Sequence, residues 1–323
     1  MKLLFELSGE NPTLPVAELE CVGEITDQRA QVAVVMCHDP STIHRLAMTH
    51  VVLEYLGECN PDIGSFKELL KSLSINTDQT FAGRVKKVHT GNNRLVQRCS
   101  QLDFEKIMGT SINGPVSLNN PEVQYRAILS EDRCYFGKVL FFIDRQIYNS
   151  RNPGKRIFFH PGVMMPRMAR TLVNISLAKK GDLLLDPFCG TGGLLIEAGM
   201  LGINTIGCDF DPMMINGCQI NAHDASLLIA DTMNLPFKNN SIDAIVTDFP
   251  YGQSVCIKKT DTMDSLYDES IAQICRVIKS GKRTVIVTHT DIRKIAARHM
   301  TVLQYHEQRV HKSLTRRILV LIK

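Results

Sequence analysis

Four stretches in the second half of the chain are apolar and each stops at an aspartate: "DLLLD" at Asp186, "NTIGCD" at Asp209, "SLLIAD" at Asp231 and "SIDAIVTD" at Asp248. The first is followed by "PFCGTGG", which supplies Gly190, Thr191 and Gly192. The last is followed by "FPYG", with Pro250 and Tyr251. Glycines let a backbone turn tightly and approach a ligand closely. An acid, a rigid proline and an aromatic ring at a strand end can grip a flat base. Asp248 can accept hydrogens from a ring amine, and the carbonyl of Phe249 or Pro250 can accept another. Pro250 fixes its own φ and pushes Phe249 toward extended geometry. Tyr251 can stack on the base, worth about 1–3 kcal/mol. One such acid is ordinarily a turn residue or a helix cap. Four in order, with a glycine loop on the first, make a pattern.

The loop does not suit a phosphate. The G-x-G-x-x-G spacing fails because Leu195 stands at the third glycine position, and no Gly-Lys-Ser/Thr follows. A carboxylate at Asp186 is a poor neighbour for pyrophosphate and a good one for a cation. S-adenosylmethionine carries an ammonium and a sulfonium and no phosphate, so it fits the loop. Asp209, about twenty residues on, stands where an acid typically holds ribose hydroxyls, and ligands of open α/β sheets bind at these carboxyl ends. Asp231 is placed to reach an adenine amino group.

These acids need a sheet to present them. From about His160 the pattern is strand, turn, helix, repeated, which argues for a parallel sheet with helices on both faces. "VLQYHEQRVH" and "TRRILVLIK" then read as two strands with no helix between them, a terminal hairpin on a doubly wound sheet. The first part differs and reads as α+β. "KLLFEL", "QVAVVMC" and "TFAGRVKKV" look like strands, and "VQYRAILSEDRCYFGKVLFFI" like two strands around a turn. "LPVAELECV", "PSTIHRLAMTH", "SFKELLKSL" and "LDFEKIMGTSI" have apolar residues at helical spacing. Between the parts lies a stretch rich in Asn, Pro and Gly that also holds Arg145, Arg151, Lys155 and Arg156. The expected domains are residues 1–144, a linker 145–157, and 158–323.

Composition sets the remaining bounds. The chain has 323 residues, 44% hydrophobic and 22% charged, as in ordinary globular proteins. No apolar run approaches the ~20 residues that cross a bilayer, and the N-terminus lacks the form of a signal peptide. A cytoplasmic location without a membrane partner is expected. Ten cysteines are scattered with no C-x-x-C pair, so no zinc ribbon, redox motif or other metal site is indicated. A net charge of +4 permits a nucleic-acid partner without requiring one. Arg84, Lys86, Lys87, Arg94 and Arg98 are its candidate contacts.

On these motifs the chain resembles the class I methyltransferases that modify amino groups, whose motif is Asp/Asn-Pro-Pro-Tyr/Phe. Phe249 departs from it, standing where that class usually has proline. More closely the chain resembles the archaeal tRNA guanine-10 N2-methyltransferases. "VSLNNPEVQYRAIL", "FFHPGVMMPRMARTLVNIS" and "DPFCGTGGLLIEA" carry that likeness, which spans nearly the whole chain. The resemblance implies a Rossmann-like methyltransferase sheet preceded by a ferredoxin-like segment and a THUMP RNA-binding domain. It implies S-adenosylmethionine as cofactor, tRNA as partner, transfer of one or two methyl groups to guanine N2, and the option of a small activating subunit. His160 and Pro161 would close over the methionine end of the cofactor, although a structural role suits a lone histidine equally. A cytidine C5 mechanism would need a cysteine nucleophile; Cys189 lies in the glycine loop and reads as packing. Three alternatives stay open: an rRNA guanine amino-methyltransferase, a DNA adenine one, and an inactive RNA-binding protein that retains a cofactor fold.

Overall fold

The computed structural model describes residues 1–88, 96, 99–250, 262–311 and 314–323. The chain forms two compact units, Met1–Asp144 and Arg145–Lys323.

In the first unit, strands β1 (Lys2–Leu7), β2 (Gly23–Arg29), β3 (Val32–Cys37), β4 (Thr49–Cys59), β5 (Phe81–Lys87), β6 (Val123–Ser130) and β7 (Arg133–Phe142) make one sheet in the order β2-β3-β1-β4-β7-β6-β5. Its neighbours are antiparallel except β5 and β6, which run parallel. A parallel pair needs a long crossover, and helix α3 (Gln101–Ser111) lies within it. Helices α1 (Leu14–Leu19) and α2 (Ile63–Leu73) complete the unit. Phe66, Phe104 and Phe136 close one apolar cluster, with the first two rings 4.9 Å apart.

Three elements differ from the sequence pattern. "PSTIHRLAMTH" gives only a 3-10 turn, Pro40–Arg45, before the chain enters β4. The cause is Glu18. Its fully buried carboxylate accepts the amide hydrogens of Ala47 and Met48 at 2.9 and 2.8 Å. A continuing helix would have turned those amides inward. Strands β2 and β4 were not apparent in the sequence, because β2 is half-exposed throughout and β4 loses its apolar alternation after Leu53.

In the second unit, β8 (Leu183–Asp186), β9 (Asn204–Asp209), β10 (Ser226–Ile229), β11 (Ala244–Asp248), β12 (Arg283–Thr288), β13 (Thr301–His311) and β14 (Leu314–Ile322) form a sheet in the order β10-β9-β8-β11-β12-β14-β13. Neighbours among β8–β12 pair in parallel. The expected terminal hairpin is present, with β14 antiparallel to both β12 and β13. Helices α4 (Pro166–Ile175), α5 (Gly193–Gly199), α6 (Pro212–Asn221), α7 (Met263–Val277) and the short α8 (Arg293–Ala296) accompany the strands. Strand order reverses between β8 and β11. Open α/β sheets bind ligands at such a reversal point.

The stretch read as a linker adds two 3-10 turns, Arg145–Arg151 and Pro153–Lys155, and clusters with this second unit. Arg151 and Arg170 grip the fully buried Glu197 carboxylate at 2.7 and 2.8 Å. A buried charge of this kind needs such partners to be tolerated. Among the described residues, no helix is long and apolar enough to cross a membrane.

Candidate active site

At the reversal point lies a cavity of about 170 Å³. Asp186 and Asp248 both line it, one from the end of β8 and one from the end of β11. Gly190 and Thr191 form its floor, and His160 and Pro161 close a side. Six of the residues singled out in the sequence therefore meet in one place.

The glycine loop owes its shape to positive φ. Gly190 and Gly192 sit at +49° and +83°, where a side chain is strained. A Cβ on Gly192 would also stand 2.7 Å from the Cys218 sulfur. Cys189 packs beside Cys218, and that contact together with burial holds its thiol neutral, in keeping with a packing role. The Thr191 side chain is 4% exposed, lines the cavity, and its hydroxyl has no hydrogen-bond partner among the described residues. A buried unpaired hydroxyl of this sort calls for a ligand or a water.

Asn221 was not read from the sequence, yet it holds the wall of the site. Its side-chain amide donates to the carbonyls of Phe158 and Thr191 at 2.8 and 3.1 Å. Its oxygen accepts from the Phe158 amide at 3.2 Å. The Phe158 ring packs on Gly217, where a Cβ would meet it at 2.1 Å. These contacts carry His160 and Pro161 to the glycine loop. His160 Nδ1 then donates to the Pro161 carbonyl at 3.0 Å.

The four acids have different surroundings. Asp186 is 1% exposed, and burial pushes its carboxyl up to about 8. The Phe188 amide, donating at 3.2 Å, pulls the other way, while Asp209 and Asp248 add to the rise. Asp209 accepts the Gly190 and Asp211 amides at 3.0 Å each, and burial raises its carboxyl as well. Asp231 accepts the Met233 amide at 3.0 Å and so caps a 3-10 turn. Asp248 ends β11, half-buried, at the cavity.

Beyond Asp248 the lip is stiff. The Phe249 amide donates to the Val287 carbonyl at 2.8 Å. A proline there could not make this bond. The departure from the usual proline thus adds a rung to the sheet. The Phe249 ring is 1% exposed, edge-on to Phe188 at 5.1 Å and stacked on Tyr267 at 5.4 Å. Phe188 and Tyr267 are further residues that the motif reading passed over; the aromatic residue of "DPF" was a signal for Phe188, and Tyr267 had none nearby. Tyr251 lies outside the described residues.

A doubly wound sheet, a left-handed glycine loop after its first strand and acids at the reversal point define the architecture of a class I methyltransferase domain. The comparisons agree. The family described as RMKL-like methyltransferase domain matches residues 153–318, about half of the chain. The tRNA (guanine(10)-N2)-dimethyltransferase of Methanothermobacter thermautotrophicus is 30% identical over 99% of both chains. That of Methanocaldococcus jannaschii is 37% identical over 62% of each. The chain belongs to this methyltransferase family. The crystal structure of TrmN from Thermus thermophilus shares the fold over 100% of both chains, with a TM-score of 0.52 at 17% identity.

Proposed function

We propose that the chain transfers one or two methyl groups from S-adenosylmethionine to the exocyclic N2 of a guanine in tRNA, at position 10, in the cytoplasm. The observation that carries this reading is the shared cavity of Asp186 and Asp248. One acid suits a cationic cofactor and the other a base amine, across a single cavity. The cavity is smaller than the ~300 Å³ at the low end of ligand clefts. It suits the amino-acid end of the cofactor, while Asp209 would take the ribose hydroxyls and Asp231 the adenine amino group. The Thr191 hydroxyl, unpaired among the described residues, and the open space beside Gly190 fit a ligand lying close against the loop.

When bound, S-adenosylmethionine supplies an electrophilic methyl on a sulfonium, already a good leaving group. The residues of the chain have a different task. The guanine N2 lone pair is spread into the ring, so the amine attacks poorly. The Asp248 carboxylate and the Phe249 carbonyl accept its two hydrogens and turn the lone pair toward the methyl carbon. The Pro250 carbonyl already takes the Tyr267 hydroxyl at 3.1 Å, which leaves Phe249 as the better second acceptor. Tyr251 stacks on the base. Asp248 would take the proton that the amine gives up on methylation. Such positioning and preorganised charge supply most of the acceleration.

The rRNA guanine and DNA adenine readings use the same lip. The names of the relatives and the α+β unit, which resembles a THUMP module, favour tRNA. Nucleoside mass analysis of an unmodified tRNA transcript after incubation with the chain and S-adenosylmethionine is the test. N2-methylguanine or its dimethyl form at position 10 is expected, and methyl groups found only on adenine would overturn the reading. Activity of the purified chain alone, against activity only with a small activating subunit, separates the two arrangements that the resemblance allows.

A further inference from the structure

We infer that Tyr267 is a positioning residue for methyl transfer, its hydroxyl holding the Pro250 carbonyl and its ring backing Phe249. This rests on the proposed function and extends it to a residue outside the motif. The β11 ladder ends where the Phe249 amide meets Val287. Pro250 has no N–H and cannot extend it. Among the described residues, the Tyr267 hydroxyl at 3.1 Å is the hydrogen bond that restrains this part of the lip. The donor comes from α7, across a sequence separation of 17 residues.

Burial makes the contact specific. Tyr267 is 2% exposed, and a buried tyrosine hydroxyl needs a partner. Many core tyrosines find one on a convenient carbonyl with no bearing on chemistry. Here the carbonyl is that of Pro250, two residues beyond Asp248, and the ring lies nearly parallel to Phe249, 14° from coplanar. The other side of Phe249 meets Phe188, which lines the cofactor cavity. The hydroxyl thus ties Pro250 to α7, and the rings of Phe188 and Tyr267 hold Phe249, the residue between Asp248 and Pro250. Loss of the hydroxyl frees the Pro250 carbonyl to turn about its ψ and unties the lip from α7.

The test is Tyr267→Phe, which keeps the ring and the core. The measurement is single-turnover methyl transfer to a tRNA transcript, with cofactor and tRNA affinity measured separately. The rate should fall about 10-fold, since small misplacements at a reacting centre cost up to ~10²-fold. Both affinities should stay within about twofold, and the melting temperature should hardly move. The same substitution in an Asp248→Asn background should then cost much less, because both changes act on one lip and interacting sites are not additive. Equal rates for wild type and Y267F would overturn the inference. So would equal losses in the two backgrounds, which mark a general structural role. Failure of the wild type itself to methylate guanine N2 would remove the functional reading instead, a result visible before any variant is made.

Discussion

The inner pair of strand ends, at β8 and β11, differs from the outer pair, at β9 and β10. Asp186 and Asp248 face a common cavity. Asp209 and Asp231 are not among its lining residues; Asp209 accepts the Gly190 and Asp211 amides and Asp231 the Met233 amide. All four look alike in the sequence. The difference arises from the strand order, since only the inner strands flank the reversal point. A row of acids therefore holds two kinds of residue: those that line the cavity and those that stand outside its lining.

Asp248 should show the largest effect. Asp248→Ala should lose ~10²–10³-fold or more in transfer rate, the scale for removing a preorganised electrostatic contact. Cofactor and tRNA binding should change little. Asp248→Asn keeps an acceptor oxygen and should retain partial activity. Single-turnover transfer with the product nitrogen identified measures both. A near-normal rate for Asp248→Ala would make it one more turn residue and erase the distinction between the pairs.

Asp186 comes next and carries a pH signature. Its carboxyl stands at about 8 against an ordinary 3.8. A raised carboxyl favours the folded state at low pH. That contribution is complete below about 3.8 and is lost as pH rises through about 8. A cationic ligand reverses the preference and draws out the proton. Cofactor affinity should therefore increase with pH up to about 8, and binding at pH 7 should release close to ~1 proton. Asp186→Asn should bind the cofactor ~10-fold or more weakly, as for loss of a charged hydrogen bond, release no such proton, and show a flatter stability curve between pH 4 and 8. Calorimetry in buffers of different ionisation enthalpy reads the release. An unaltered proton count in the variant would place Asp186 outside the ligand's reach.

The outer pair should respond more mildly. Asp209→Ala should weaken cofactor binding by ~1–3 kcal/mol, for a charged hydrogen bond. Asp231→Ala removes a cap from a short 3-10 turn and should cost about 1 kcal/mol of stability, with a smaller effect on binding. Thermal melts and titrations of the two variants side by side would show whether the outer acids separate in this way. Equal binding losses for Asp231→Ala and Asp186→Asn would contradict it.

Much of this was legible in the sequence, for a physical reason. Continuous apolar runs such as "LLLD" and "AIVTD" can only be buried parallel strands, and glycines before a helix can only be a tight loop. Local chemistry fixed those elements. The 3-10 turn at Pro40–Arg45 was not legible, because a carboxylate 29 residues away from Ala47 decides it. Asn221 and Tyr267 escaped for the same reason: their partners, Phe158 and Pro250, lie 63 and 17 residues away. A motif records which residues meet a ligand. It does not record which ones hold the motif still.

The cations of the first unit repeat the division on a smaller scale, and they give the mildest prediction. Arg84 donates to the Gly83 carbonyl at 3.3 Å and also to the Leu118 carbonyl. Lys87 donates to the Cys99 carbonyl at 2.6 Å. Lys86 is exposed, while Arg94 and Arg98 lie outside the described residues. Sequence alone gave all five the same weight as RNA contacts. The structure gives Arg84 and Lys87 work within their own unit and leaves Lys86 turned to solvent. Each phosphate neutralised by a cation steepens the salt dependence of binding by ~0.7–0.9 in log–log slope. Lys86→Ala should therefore flatten the tRNA slope by about that amount if Lys86 meets a phosphate. Lys87→Ala should leave the slope alone and lower the stability of the first unit, by ~0.5–1.5 kcal/mol for one hydrogen bond. Filter binding of tRNA at several salt concentrations, with thermal melts of the same samples, separates the two. An unchanged slope for Lys86→Ala would move the RNA surface elsewhere, with the exposed Lys155 as the next residue to replace.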